Sequence, residues 1–176
     1  MARPSAKKIS RSTPSKTARP RFRDLDPFEI EELLARNYVA RLAYTLHDRV
    51  DIEPIHYVLG DGWLYVRTSP GTKVSTLAHH QWVALEVDEI DGLFSWRSVV
   101  VHGTVHRADL VGSPEEQRSR DRAIRSLRRL IPETLAEDDP VPFRTVVMRI
   151  SLGEVRGRAA YLPKPRAPRS ATKRKP

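Results

Sequence analysis

The sequence predicts a mainly β chain with short flanking helices, folded as a closed or partly closed antiparallel barrel. Three observations carry that expectation. Apolar segments rich in β-branched and aromatic residues follow one another with turn chemistry between them. The gaps are too short for helical crossovers, so neighbouring strands must form hairpins. No helix–strand alternation and no internal repeat interrupts the series, and closing a run of hairpins on itself removes exposed sheet edges.

The elements justify themselves in order. Asp26-Pro27 opens an amphipathic helix: Asp26 suits the N-cap, Pro27 the first helical position, and Glu29, Glu31 and Glu32 favour the positive end of the dipole. Phe28, Ile30, Leu33 and Leu34 form its apolar stripe and Asn37 stops it. Residues 39–45, 50–58 and 63–68 read as strands, with His47-Asp48 and Gly60-Asp61-Gly62 as the turns. Ser69-Pro70-Gly71 breaks the third strand, and residues 72–80 read as a short helix. Residues 82–87 resume extended structure, 88–92 read as a polar loop, and 95–107 as a long strand. Ser113, Pro114, Glu115 and Glu116 sign a further helix, with Ile124, Leu127, Leu130 and Ile131 as its packing face. Its later arginines (Arg118, Arg120, Arg122, Arg125, Arg128 and Arg129) read as a solvated surface suited to the C-terminal dipole rather than a nucleic-acid face. After a Pro-rich break, residues 143–155 form the last strand of five or six.

A length of 176 residues fits one domain, and its net charge of +9 is unevenly spread. Residues 1–23 hold eight Lys or Arg and residues 163–176 hold six, with no acid in either. The remaining basic residues face all 22 acids, so the domain at 24–162 carries about −5. Both tails lack large apolar groups and are expected to be disordered. Two readings stand for them: arms that make weak, salt-dependent contacts with polyanions, or solubilising termini. The chain has no cysteine, which excludes disulfides, thiolate metal sites and a cysteine nucleophile. No apolar run approaches the ~20 residues of a membrane span, and the basic N-terminus has no apolar core of a secretory signal. A cytoplasmic protein without membrane contact is expected.

The most informative stretch runs from Leu64 through Tyr65, Val66, Arg67, Thr68, Ser69, Pro70, Gly71 and Thr72 to Lys73. A strand ends in hydroxyls, turns at glycine and enters a helix with a lysine in its first turn. Free N–H groups at a helix start favour an anion, above all a phosphate. Thr68, Ser69 and Thr72 add hydroxyl donors and Lys73 a full charge. The competing reading is a generic turn followed by a solvated lysine. His79 and His80 are adjacent and share no helix face, and His102 and His106 lie too far apart on a strand for one metal ion. Asp88, Glu89 and Asp91 lack the spacing of a calcium loop and read as a turn. No catalytic triad, metalloprotease helix or carboxylate pair emerges from the spacing.

Over residues 30–105 the chain resembles the pyridoxamine 5'-phosphate oxidase-like family of FMN-binding split β-barrels, and within it the nitroimidazole-resistance or flavin-nucleotide-binding branch. The resemblance rests on Glu31-Glu32-Leu33-Leu34-Ala35-Arg36-Asn37-Tyr38-Val39-Ala40-Arg41-Leu42-Ala43 and Glu53-Pro54-Ile55-His56-Tyr57-Val58. It continues through Gly62-Trp63-Leu64-Tyr65-Val66, the turn at 69–73, Val87-Asp88-Glu89-Ile90-Asp91, and Trp96-Arg97-Ser98-Val99-Val100-Val101-His102-Gly103. It implies a six-stranded antiparallel split β-barrel working as a homodimer, with FMN in a groove between protomers and an oxidoreductase activity on a small molecule. It places Thr68, Ser69, Thr72 and Lys73 at the phosphate. It sets Glu53, Pro54, Ile55 and His56 beside the isoalloxazine, with Trp96 and Ser98 approaching from the long strand. Thr72 stands where some relatives have a second basic residue, and His56 where many have asparagine. Relatives on this fold also use haem or a deazaflavin coenzyme; for haem, His56 or His102 would be the axial ligand. A non-enzymatic polyanion binder acting through the tails is the remaining alternative.

Overall fold

A computed structural model describes residues 19–109 and 111–163. Its elements are β1 (Arg21–Asp24), α1 (Pro27–Arg36), β2 (Val39–Leu46), β3 (Arg49–Gly60), β4 (Trp63–Thr68), α2 (Thr72–His79), β5 (Trp82–Gly92), β6 (Ser95–Arg107), α3 (Pro114–Leu127), β7 (Val146–Ser151) and β8 (Glu154–Tyr161). The strands form one antiparallel sheet in the order β1-β8-β6-β5-β2-β3-β4-β7, and β7 also pairs with β6. That last pairing closes β6, β5, β2, β3, β4 and β7 into a six-stranded ring, the split barrel the sequence predicts.

The split has a local cause. Along one edge, β6 pairs with β8 from Trp96 to His102 and then with β7 from Val105 to Arg107. The change of partner falls at Gly103, where a Cβ would lie 2.0 Å from the Ser151 carbonyl oxygen. Only glycine admits that approach. The expected single strand over residues 143–155 is therefore two: Leu152-Gly153 turns the chain from β7 into β8.

Two further expectations are corrected. Residues 88–92 are not a loop but the end of β5, where Asp88, Glu89 and Ile90 pair with Ser98, Arg97 and Trp96. Their carboxylates are tolerated in a strand because arginines meet them: Arg36 lies 2.5 Å from Glu89 and Arg41 lies 2.6 Å from Asp88. Nor do residues 21–23 belong to a tail. They form β1 against the end of β8, with Phe22 packed 6.2 Å from the Trp96 ring and the Leu25 N–H donating to Gly157 O at 2.9 Å. The rest of the expected basic tails, residues 1–18 and 164–176, lies outside the described residues.

The barrel interior follows the two-residue alternation of strands. Val83, Leu85 and Val87 of β5 and Val99 and Val101 of β6 point inward with Leu42, Tyr57, Leu64, Val66 and Ile150. α1 caps the barrel with Leu33 and Leu34, while α3 lies outside, packing Ala123 and Leu127 on Tyr65 and Val147. Capping boxes start both helices, Asp26 with Glu29 and Ser113 with Glu116. On the outer sheet face Val50, Ile52 and Trp82 remain 68%, 63% and 74% exposed. Among the described residues no helix is long and apolar enough to cross a membrane.

Candidate functional site

β4 ends at Thr68, and the turn Ser69-Pro70-Gly71 leads straight into α2. Gly71 takes φ 155° and ψ −170°, a conformation L side chains rarely adopt, and it occupies the N-cap. No side chain caps this helix, so its first N–H groups are presented without a carboxylate or hydroxyl acceptor. Thr72 and Lys73 follow in the first turn. The first half of β3 runs alongside, and Glu53, Pro54 and Ile55 face Thr68, Ser69, Thr72 and Lys73 across an open cleft of about 500 Å³.

The polar groups of this cleft are tied together. Lys73 Nζ lies 2.7 Å from Glu53 Oε2, and the Tyr44 hydroxyl donates to Glu53 Oε1 at 2.6 Å. Both bonds favour the charged carboxyl, which holds Glu53 below the usual carboxylate range. Burial, and then the Glu53 charge, push the Tyr44 phenol upward, so it stays a proton donor at neutral pH. The cleft thus joins an uncapped helix start, the hydroxyls of Tyr44, Thr68, Ser69 and Thr72, Lys73, and the carboxylates of Asp51 and Glu53. That donor set suits a phosphate at one end and a hydrogen-bonding heterocycle along β3.

Sequence reasoning missed six residues that border the same cleft: Tyr44, Leu46, Asp51, Arg67, Phe143 and Arg144. Arg67 is nearly buried at the end of β4. Its Nε donates to Arg144 O at 2.9 Å, and its Nη2 donates to Val141 O at 2.9 Å and to Asp139 Oδ2 at 2.7 Å. Asp139 also accepts from the N–H groups of Leu135 and Val141 at 2.8 and 2.9 Å. These donors, Arg67 first, hold its carboxyl at about 2. Together they fasten the segment between α3 and β7 onto the barrel and bring Phe143 and Arg144 to the cleft. Arg67 Nη1 has no partner among the described residues. The signal available in sequence was the arginine itself, a charge at a position where β4 is otherwise buried.

The remaining predicted residues lie elsewhere on the protomer. His56 packs beside Tyr38, their ring centroids 6.4 Å apart. Trp96 and Ser98 border a second, more apolar cleft of about 500 Å³ with Val100, His102, Arg156 and Arg158. There the Ser98 hydroxyl donates to Glu86 Oε1 at 2.8 Å. Within one protomer, then, Thr68, Ser69, Thr72 and Lys73 come together with Glu53, Pro54 and Ile55, while Trp96 and Ser98 do not join them.

With this geometry in hand, comparison with known proteins is informative. The family model described as pyridoxamine 5'-phosphate oxidase matches residues 26–159. An uncharacterized protein of Rhizobium meliloti is 33% identical over 75 residues, covering 43% of this chain; the chain spans about half, 50%, of that relative's length. Among solved structures, an FAD-binding protein from Mesorhizobium loti superposes with a TM-score of 0.62 at 28% identity, over 78% of this chain and 96% of that one. The FAD-binding protein from Mycobacterium smegmatis gives a TM-score of 0.57 at 22% identity, over 79% and 99% of the two chains, and shares the fold.

Proposed function

Because this chain belongs to the pyridoxamine 5'-phosphate oxidase family, we propose that it binds a flavin, FMN in the first instance, and serves as an oxidoreductase for a small molecule. One observation carries the reading. An uncapped helix start, Lys73 and the hydroxyls of Thr68, Ser69 and Thr72 converge on one cleft beside Glu53, Pro54 and Ile55. Lys73, Ser69, Thr72 and the α2 N–H groups would hold the phosphate, and β3 would meet the polar edge of the ring. When bound, the flavin supplies hydride chemistry that no protein side chain offers. The residues of the cleft bind, orient and set charge: Tyr44 and Lys73 keep Glu53 ionised, so it accepts hydrogen bonds.

The second cleft, with Trp96 and Ser98, fits the same reading if two copies meet face to face. Exposed Val50, Ile52 and Trp82 supply apolar surface for that contact, and the groove would then draw on both protomers. We propose that the protein works in the cytoplasm.

The test is the absorption spectrum of the freshly purified protein, followed by chromatography of the ligand released on denaturation. About one FMN per chain is expected, and Lys73→Ala should lower retention by roughly tenfold, in line with the loss of one charge-assisted hydrogen bond. A colourless protein that takes up no added flavin would overturn the reading.

A further inference from the structure

The segment between α3 and β7 brings a further cation to the cleft, beside Lys73 and Arg67. Arg144 is half-buried and borders the cleft with Lys73, Ser69 and Thr72. Its backbone is fixed on both sides: the N–H donates to Val141 O at 3.0 Å, and the carbonyl accepts from Arg67 Nε at 2.9 Å. The guanidinium itself has no hydrogen bond and no carboxylate partner among the described residues. Its neighbours in the cleft do have them. Lys73 is matched by Glu53 and Arg67 by Asp139, each at 2.7 Å. A half-buried guanidinium with five N–H donors needs acceptors, and its planar fork matches the oxygens of a phosphate.

We propose that Arg144 is a phosphate-binding residue of this chain. With Lys73 and the α2 N–H groups it completes a site for a dianionic phosphate monoester, and the Arg67–Asp139 pair is the positioning device that holds it there. Lys73 alone does not match a dianion, because Glu53 already takes up its charge and Asp51 borders the same cleft. Arg144 adds a cation that no carboxylate holds among the described residues, and the α2 N–H groups and hydroxyls supply the remaining donors. Arg67 reinforces the assignment, since its side chain is only 4% exposed and its Nη1 lacks an acceptor at this same cleft.

This inference rests on the flavin reading, and the experiment separates the two. The full chain, stripped of flavin, is titrated with FMN, FAD and riboflavin while flavin fluorescence is followed. Wild type should bind FMN well above riboflavin. Arg144→Ala should weaken FMN by about 10- to 100-fold, the span of one charge-assisted interaction, and leave riboflavin within about twofold. Arg144→Lys should recover part of the loss. Should Arg144→Ala lower the melting temperature, Arg144→Gln is read in its place. Unchanged FMN binding in the variant, or equal losses of FMN and riboflavin, would overturn the role of Arg144 while the flavin reading stands. A loss confined to FAD would overturn the monoester. If wild type prefers FMN no more than riboflavin, the phosphate role of Arg144 falls while flavin binding stands; if it binds none of the three, both readings fall.

Discussion

Arg67 and Asp139 form the most buried ion pair among the described residues, with side chains 4% and 1% exposed. Removing one partner from such a pair strands the other charge, at a cost of about 3–5 kcal/mol. Asp139→Asn is therefore expected to lower stability by roughly 3 kcal/mol at pH 7, measured by urea unfolding. The pH dependence has a definite sign. The Asp139 carboxyl falls from 3.8 to about 2 in the folded protein, so its stabilisation is complete above pH 4 and is lost as pH drops toward 2. The gap between wild type and variant should narrow over that window; a gap as wide at pH 2 as at pH 7 would contradict the assignment. The turn from β4 into α2 was readable in sequence because strand end, turn, helix start and lysine are contiguous. Arg67–Asp139 was not, because its partners stand 72 positions apart and no local pattern announces them.

At the scale of elements, the capping boxes of α1 and α3 show what sequence reads well. Each is written in four neighbouring residues, and each starts its helix at the expected proline. Strand ends are harder, because a strand is decided by its neighbour. Asp88 and Glu89 look like loop residues until Arg41 and Arg36 arrive from other elements. Residues 21–23 look like part of a basic tail until β8 offers an edge. Gly103 is similar: its spacing in β6 is unremarked in sequence, yet the backbone of Ser151 leaves no room for a methyl group. Gly103→Ala must push β6 and β7 apart, and should destabilise the fold by about 1–3 kcal/mol or more. The midpoint of thermal unfolding reads that change. A variant as stable as wild type would show that the two strands can separate there without cost.

For the whole molecule, a barrel of five or six antiparallel strands was legible because consecutive hairpins leave few alternatives, whereas association of copies is not written in that pattern. The exposed Val50, Ile52 and Trp82 on one sheet face predict a homodimer in light scattering, and Trp82→Glu should shift it toward monomer. Retention of the dimer in that variant would move the interface elsewhere. The ring also imposes an order on synthesis. β2 through β6 can pair as each leaves the ribosome, but the free edges of β4 and β6 wait for residues 146–161, and Trp63 meets Ser151 only near the end. Until then the nascent chain carries two unsatisfied strand edges, an invitation to pair with other chains. A fragment that stops after α3 should therefore aggregate, and the full chain should depend most on chaperones in the interval before its final two strands emerge.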